Sequence, residues 1–244
     1  MRKILLCVVM GLSLVMTACG NQRTNIGSES NTTNSNNTAK AGNQAKINTQ
    51  EKSEENSGDS NKEAGKNILI AYFAVAENSD VDAVSSASVV TDNGEAKGRV
   101  RILADDVQNV TGGDLFSIQT SVKYPGNVGD LIEYANKEKE DKARPELTSH
   151  IENLDDYDVI FIGYPTWWYD MPMVMYSFFE ENDFSGKTII PFNSHNGSRF
   201  SGTIETIQEL EPNATVITDG FTVNERDVSD AAPDIEDWLK GLGY

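Results

Sequence analysis

Asp158-Val-Ile-Phe-Ile-Gly-Tyr-Pro-Thr-Trp-Trp-Tyr-Asp-Met-Pro-Met173 is the stretch on which the fold turns. Its first six residues are a short, continuous apolar run. Continuous rather than alternating hydrophobicity suits a strand buried on both faces, as in a parallel sheet. Its end opens a helical pattern over Met171 to Asn182, carrying Met173, Val174, Tyr176, Phe178 and Phe179. Asp170 is the expected N-cap, with Pro172 in the first turn. Between strand and helix lies a loop with three consecutive aromatic residues.

Working outward, the same alternation repeats. Asn67-Ile-Leu-Ile-Ala-Tyr-Phe73 and Thr188-Ile-Ile-Pro-Phe192 are further continuous runs, and Ala214-Thr-Val-Ile217 begins another that continues towards Val223. Gly113-Asp-Leu-Phe-Ser-Ile-Gln119 alternates apolar and polar, as an edge strand does. Helices are expected over Arg99 to Val110, Val128 to Lys142, Phe200 to Leu210 and Ser229 to Leu239. Five strands alternating with five helices indicate a doubly wound α/β sandwich. In such a sheet the ligand sits at the C-terminal strand ends, so the informative loops follow Phe73, Gly163 and Phe192.

Those loops, with Ala143-Arg-Pro-Glu-Leu147, Pro191-Phe-Asn-Ser-His-Asn-Gly-Ser198 and Asp183-Phe-Ser-Gly-Lys-Thr188, resemble the flavodoxin-like family that binds flavin mononucleotide (FMN). The resemblance covers residues 67–244. The Tyr-Pro-Thr-Trp-Trp stretch with its following Met-Pro is its most specific part. It implies a five-stranded parallel sheet of order 2-1-3-4-5, FMN at the strand ends, and electron transfer or quinone-reductase-type chemistry.

An isoalloxazine ring is a flat apolar plate with a polar edge, which aromatic faces and backbone groups bind. Trp167, Trp168 and Tyr169 supply plates, and Pro165 and Thr166 shape their loop. Asn193, Ser194, His195, Asn196 and Gly197 would line the other side. The alternative is that both Trp are core or surface aromatics. His195 has three readings: a proton donor or hydrogen-bond partner near the flavin, a substrate contact, or a ligand for a loop backbone group. His150 reads as solvated.

The phosphate loop departs from the family. The first strand should lead into a loop close to Ser-x-Thr-Gly-Asn-Thr, whose hydroxyls and helix amides hold the phosphate. Here Ala74, Val75, Ala76 and Glu77 follow Phe73, and the second half is best matched by Gly98-Arg99-Val100. An insertion lies between, within residues 74–97, with Asn93-Gly94 as a hairpin turn. Either the backbone at Gly98 and the Arg99 guanidinium take over the phosphate, or the loop has decayed, Glu77 repels the anion, and the chain is a cofactor-free binding module. No Gly-x-Gly-x-x-Gly fingerprint marks a nicotinamide site.

The remaining segments concern location. Met1-Arg2-Lys3, the apolar run Ile4 to Ala18 and then Cys19 form a signal peptide (1–19) ending in a lipobox-like site, with Cys19 as lipidation point. An ordinary signal peptide cut near Ala18 is the alternative. Residues 20–66 are a polar tether with no aromatic residue, too poor in apolar side chains to fold. As a coil it spans roughly 35–40 Å. The chain is therefore expected to be exported and lipid-anchored to the outer face of a bacterial cytoplasmic membrane. Cys7 leaves with the signal, so a thiol or disulfide role is excluded. The net charge of −18 resolves into +2 for the leader, zero for the tether and −20 for residues 67–244. Such acidity excludes nucleic acid as a partner and suits a redox partner protein with a basic face, or a quinone.

Overall fold

The apolar runs become strands. The computed structural model describes residues 67–79, 89–92 and 94–244. The leader 1–19 with Cys19, the tether 20–66, and residues 80–88 and Asn93 of the insertion lie outside the described residues. In chain order the strands are β1 (Ile68–Tyr72), β2 (Val89–Asp92), β3 (Glu95–Gly98), β4 (Asp114–Ser117), β5 (Val159–Pro165), β6 (Thr188–His195), β7 (Thr215–Val216) and β8 (Phe221–Asn224). The helices are α1 (Arg99–Thr111), α2 (Val128–Asp141), α3 (Met173–Glu181), α4 (Thr203–Leu210) and α5 (Ala232–Leu242).

All pairings in the main sheet are parallel, in the order β4-β1-β5-β6-β7, with β8 also on β6. With β7 and β8 taken as one broken fifth strand, and the antiparallel β2–β3 hairpin of the insertion set aside, this is the flavodoxin-like order 2-1-3-4-5. The strands are buried on both faces by alternation. Leu69, Ala71 and Phe73 join Ile160, Ile162 and Ile189 on the α3 and α4 side. Ile70 and Tyr72 join Phe161, Ile190 and Phe192 under α1 and α5. Among the described residues no helix is long and apolar enough to cross a membrane.

Two expectations are corrected. The fifth strand is broken rather than continuous to Val223. Ile217 N–H still donates to the Ile189 carbonyl (2.8 Å), but the next N–H on that edge of β6 would be residue 191's, and proline has none. Gly220 fills the break: a Cβ there would stand 2.6 Å from the Pro191 carbonyl oxygen. The third helix starts at Met173, not Met171, with Pro172 as its extended cap residue. Proline disfavours helical geometry in the residue before it, so Asp170 is not the N-cap. Its carboxylate instead accepts from Met171 N–H (2.8 Å) and the Tyr176 hydroxyl (2.9 Å). The other expected helices hold within a few residues, α4 starting at Thr203 and α5 at Ala232.

Phe161 is fully buried in the centre of β5 and packs edge-on to Trp238 (5.9 Å) and Tyr244 (5.5 Å). Phe161→Ala should destabilise the domain by about 3–5 kcal/mol, read as a lowered midpoint in urea unfolding. A loss below about 1 kcal/mol would contradict this placement of the α5 layer.

Candidate functional site

Loops at the carboxyl ends of β1, β5 and β6, with the start of α1 and one face of α2, enclose a cleft of about 660 Å³. Position and size are those of a small-molecule or cofactor site in a doubly wound sheet.

At one end, Ala74 and Val75 lie by the first turn of α1. Gly98 caps that helix with no side-chain hydrogen bond, which leaves its first amides without a capping side chain. A Cβ at residue 98 would come within 2.7 Å of the Ala74 Cβ, so only glycine lets the loop lie this close. Arg99 lines the cleft. Its Nε donates to the Glu225 carbonyl oxygen (2.7 Å), while its Nη1 is buried and has no partner among the described residues. Burial lowers the Arg99 pKa, and the Glu225 carboxylate partly offsets this; a guanidinium nonetheless stays charged. An unpaired buried charged donor is costly, and an anion would satisfy it. Glu77 does not line the cleft. Its carboxylate accepts from the Tyr72 hydroxyl (3.0 and 3.1 Å) and from Ser117, and sits 3.4 Å from Arg101 Nη1.

Along one wall, the chain leaving β5 reverses sharply. Trp167 and Asp170 exchange two backbone hydrogen bonds, each 2.9 Å. The residues between them, Trp168 and Tyr169, have φ of 49° and 62°. Left-handed backbone costs about 1–2 kcal/mol per non-glycine residue, and such strain gathers at functional sites. The turn is clamped to α2: Trp168 Nε1 donates to the Ile132 carbonyl (3.0 Å), and Lys139 Nζ donates to the Trp168 carbonyl (2.6 Å) and pairs with Asp170 (3.4 Å). Trp167 turns inward, edge-on to Phe73 and Tyr124 (5.8 Å each). Trp168 is half exposed, and Tyr169, 75% exposed, stands at the mouth.

On the opposite side, His195 Nδ1 accepts Gly197 N–H (2.8 Å), so the neutral ring carries its proton on Nε2. Burial, and then the Arg199 charge, lower its pKa from 6.5. The backbone-ligand reading of His195 is realised through Nδ1 while the ring still lines the cleft.

A family model described as Flavodoxin matches residues 86–242. This chain belongs to the flavodoxin family. The match begins beyond β1 and so leaves out the first strand and the Ala74–Ala76 loop. Similar solved structures include candidate flavoproteins from Bacteroides uniformis ATCC 8492 and Bacteroides eggerthii DSM 20697. The first is 27% identical with a TM-score of 0.55, over 72% of this chain and 99% of that one. The second is 25% identical with a TM-score of 0.51, over 70% of this chain and 98% of that one. No curated protein matches.

In this flavodoxin the cleft gathers the expected Val75, Arg99, Pro165, Thr166, Trp167, Trp168, Tyr169, Ser194, His195, Asn196 and Gly197, with Ala74. Ala76, Gly98 and Asn193, expected with them, are not among the residues that line it. Gly98 lies under Ala74. Asn193 is fully buried behind the wall, donating to Thr166 Oγ1 (2.6 Å) and the Arg199 carbonyl (3.2 Å), and so joins the two loops. Sequence reading missed Glu225 and the α2 wall formed by Val128, Leu131, Ile132 and Ala135. An amphipathic helix face reads alike whether it covers core or cleft.

Tyr169→Gly should stabilise the fold by roughly 0.5–1 kcal/mol, since the relief of strain exceeds the entropy cost of glycine; a lowered melting temperature would refute the strain. For His195 the folded pKa lies below the unfolded one, so stability falls as pH drops through 6.5. Nitrogen NMR at pH 7 should find the Nε2–H form, and a proton on Nδ1 would contradict the loop geometry.

Proposed function

We propose that this chain is a membrane-tethered FMN-binding flavodoxin that passes electrons from a donor to a quinone or a protein acceptor. The observation that carries the reading is Arg99 Nη1, buried and without a partner among the described residues, at the cleft end beside the glycine-capped start of α1. This chain lacks the family's usual hydroxyls there, and a guanidinium beside a helix start whose glycine cap brings no side chain has the donors a phosphate dianion needs. Trp167, Trp168 and Tyr169 on one wall and Ser194 to Gly197 on the other suit a flat ring with a polar edge. When bound, the flavin supplies the electron-accepting chemistry; the protein binds it, orients it and tunes its potential.

His195 would offer Nε2–H as a hydrogen-bond donor, to the ring edge or to an acceptor entering beside it. The acidity of residues 67–244 would steer a basic redox partner and disfavour a more negative reduced ring. Export and lipidation at Cys19 would hold the domain at the outer face of the cytoplasmic membrane, within reach of membrane quinones. A second reading, a cofactor-free binding lipoprotein, is favoured by one observation: Ala74 and Val75 bring no hydroxyl to the cleft.

The test is the visible spectrum and FMN titration of the purified full-length chain. Wild type should bind FMN, and Arg99→Ala should weaken FMN about 10- to 100-fold, the range of a charge-assisted hydrogen bond, while riboflavin is little changed. A colourless protein that gives no thermal shift with FMN would sink the redox reading, and equal losses for both flavins would refute the phosphate role of Arg99.

A further inference from the structure

Building on the FMN reading, we infer that Arg101 is a positioning residue that makes the cleft selective for a phosphate-bearing ligand, by neutralising the acid in the loop after β1. Residues two apart on a helix point to different sides, and the two arginines at the start of α1 divide accordingly. Arg99 lines the cleft. Arg101 turns to Tyr72, which it meets twice: Nη1 donates to the Tyr72 hydroxyl at 2.6 Å, and the guanidinium lies 5.4 Å from the ring centroid.

The group that needs this arrangement is Glu77. It stands two residues after the cleft-lining Val75, in a loop where a free carboxylate would oppose any dianion. Its oxygens are instead drawn away from the cleft. Both accept from the Tyr72 hydroxyl, one accepts from Ser117 at the end of β4, and Arg101 Nη1 lies 3.4 Å away. Arg101 is held in turn by Asp105, whose Oδ1 accepts its Nε at 2.7 Å. Burial of the Tyr72 hydroxyl and the Glu77 charge push its pKa up to about 12, so the phenol stays a neutral donor. The two ends of the network are tied to β1 and β4, and the backbone beside Glu77 is stapled by the buried Asn78, whose amide donates to the Ala74 and Ile118 carbonyls (3.1 Å each). The loop can therefore dispense with hydroxyls and still leave Arg99 to face the ligand, because Glu77, its carboxylate among the described residues, is held by Arg101 and Tyr72 away from the cleft.

Four full-length versions separate this from a purely structural role: wild type, R101Q, E77Q and E77Q/R101Q, each titrated with FMN and with riboflavin. R101Q should weaken FMN about tenfold and leave riboflavin within about twofold. E77Q/R101Q, which restores the charge balance, should return FMN affinity to near wild type, and E77Q alone should bind FMN at least as well as wild type. Parallel losses of both flavins in R101Q, or a double variant no better than R101Q, would overturn the inference. Inorganic phosphate is the second probe, and it keeps this inference distinct from the FMN reading. It should raise the melting temperature of wild type and E77Q/R101Q but not of R101Q, even if no version binds flavin. Equal shifts in all four, or none in any, would overturn it.

Discussion

Seven residue pairs join β5 to β6, from Val159↔Thr188 to Pro165↔Ser194, and Thr166 N–H extends the ladder by donating to the Ser194 carbonyl (2.9 Å). Parallel pairing over this length, buried on both faces, fixes register, because a slip of one residue would turn every side chain to the wrong face. The aromatic turn and the His195 loop therefore leave the sheet side by side. Asn193, directly behind them, ties Thr166 to the Arg199 carbonyl, so the two walls of the cleft are set by one ladder rather than by two independent loops.

The loop after β1 is held differently. It has no long strand beside it to extend, and a buried asparagine does the work. Asn78 donates to Ala74 and Ile118, and its Oδ1 accepts Thr120 N–H (2.8 Å). Its carbonyl also accepts Tyr124 N–H (3.1 Å). Each of these would be costly to leave unmade in the interior. Tyr124, thus placed, meets both Phe73 and Trp167 edge-on, and the first loop and the aromatic turn become one packed unit.

The sheet was legible because two-sided burial leaves a signal that needs no tertiary knowledge: four continuous apolar runs and one alternating edge. The α1 start was legible to the residue, since Gly98 and Arg99 follow a hairpin signal and precede helical spacing. The break opposite Pro191 was readable in principle from the missing N–H, but only once β6 is known to pair on that side. The late start of α3 follows from Pro172 acting on its neighbour, which competed with the capping preference of Asp170 and won. Glu225 and the α2 wall left no signal, because nothing local distinguishes a helix face that covers a cleft from one that covers a core. The positive φ of Trp168 and Tyr169 runs against local preference, and it is forced from outside by the clamp to Ile132 and Lys139.

A domain with 20 more acidic than basic side chains meets a difficulty if its ligand is an anion, and the carboxylates nearest the cleft are handled one at a time. Glu77 is paired with Arg101. Glu138 on α2 is buried, and burial raises its pKa to about 7, although the hydrogen bond from the Tyr124 hydroxyl lowers it. Folding therefore favours its protonated form, and the stability it allows at low pH is lost as pH rises from 4.5 towards 7. At pH 7 it is about half protonated, so its charge is reduced rather than removed. Glu225 is the carboxylate that lines the cleft among the described residues, and its backbone carbonyl accepts from Arg99 Nε. Among the described residues that line the cleft, Arg99 is the fixed positive charge, and exposed carboxylates elsewhere act on it only within about a Debye length.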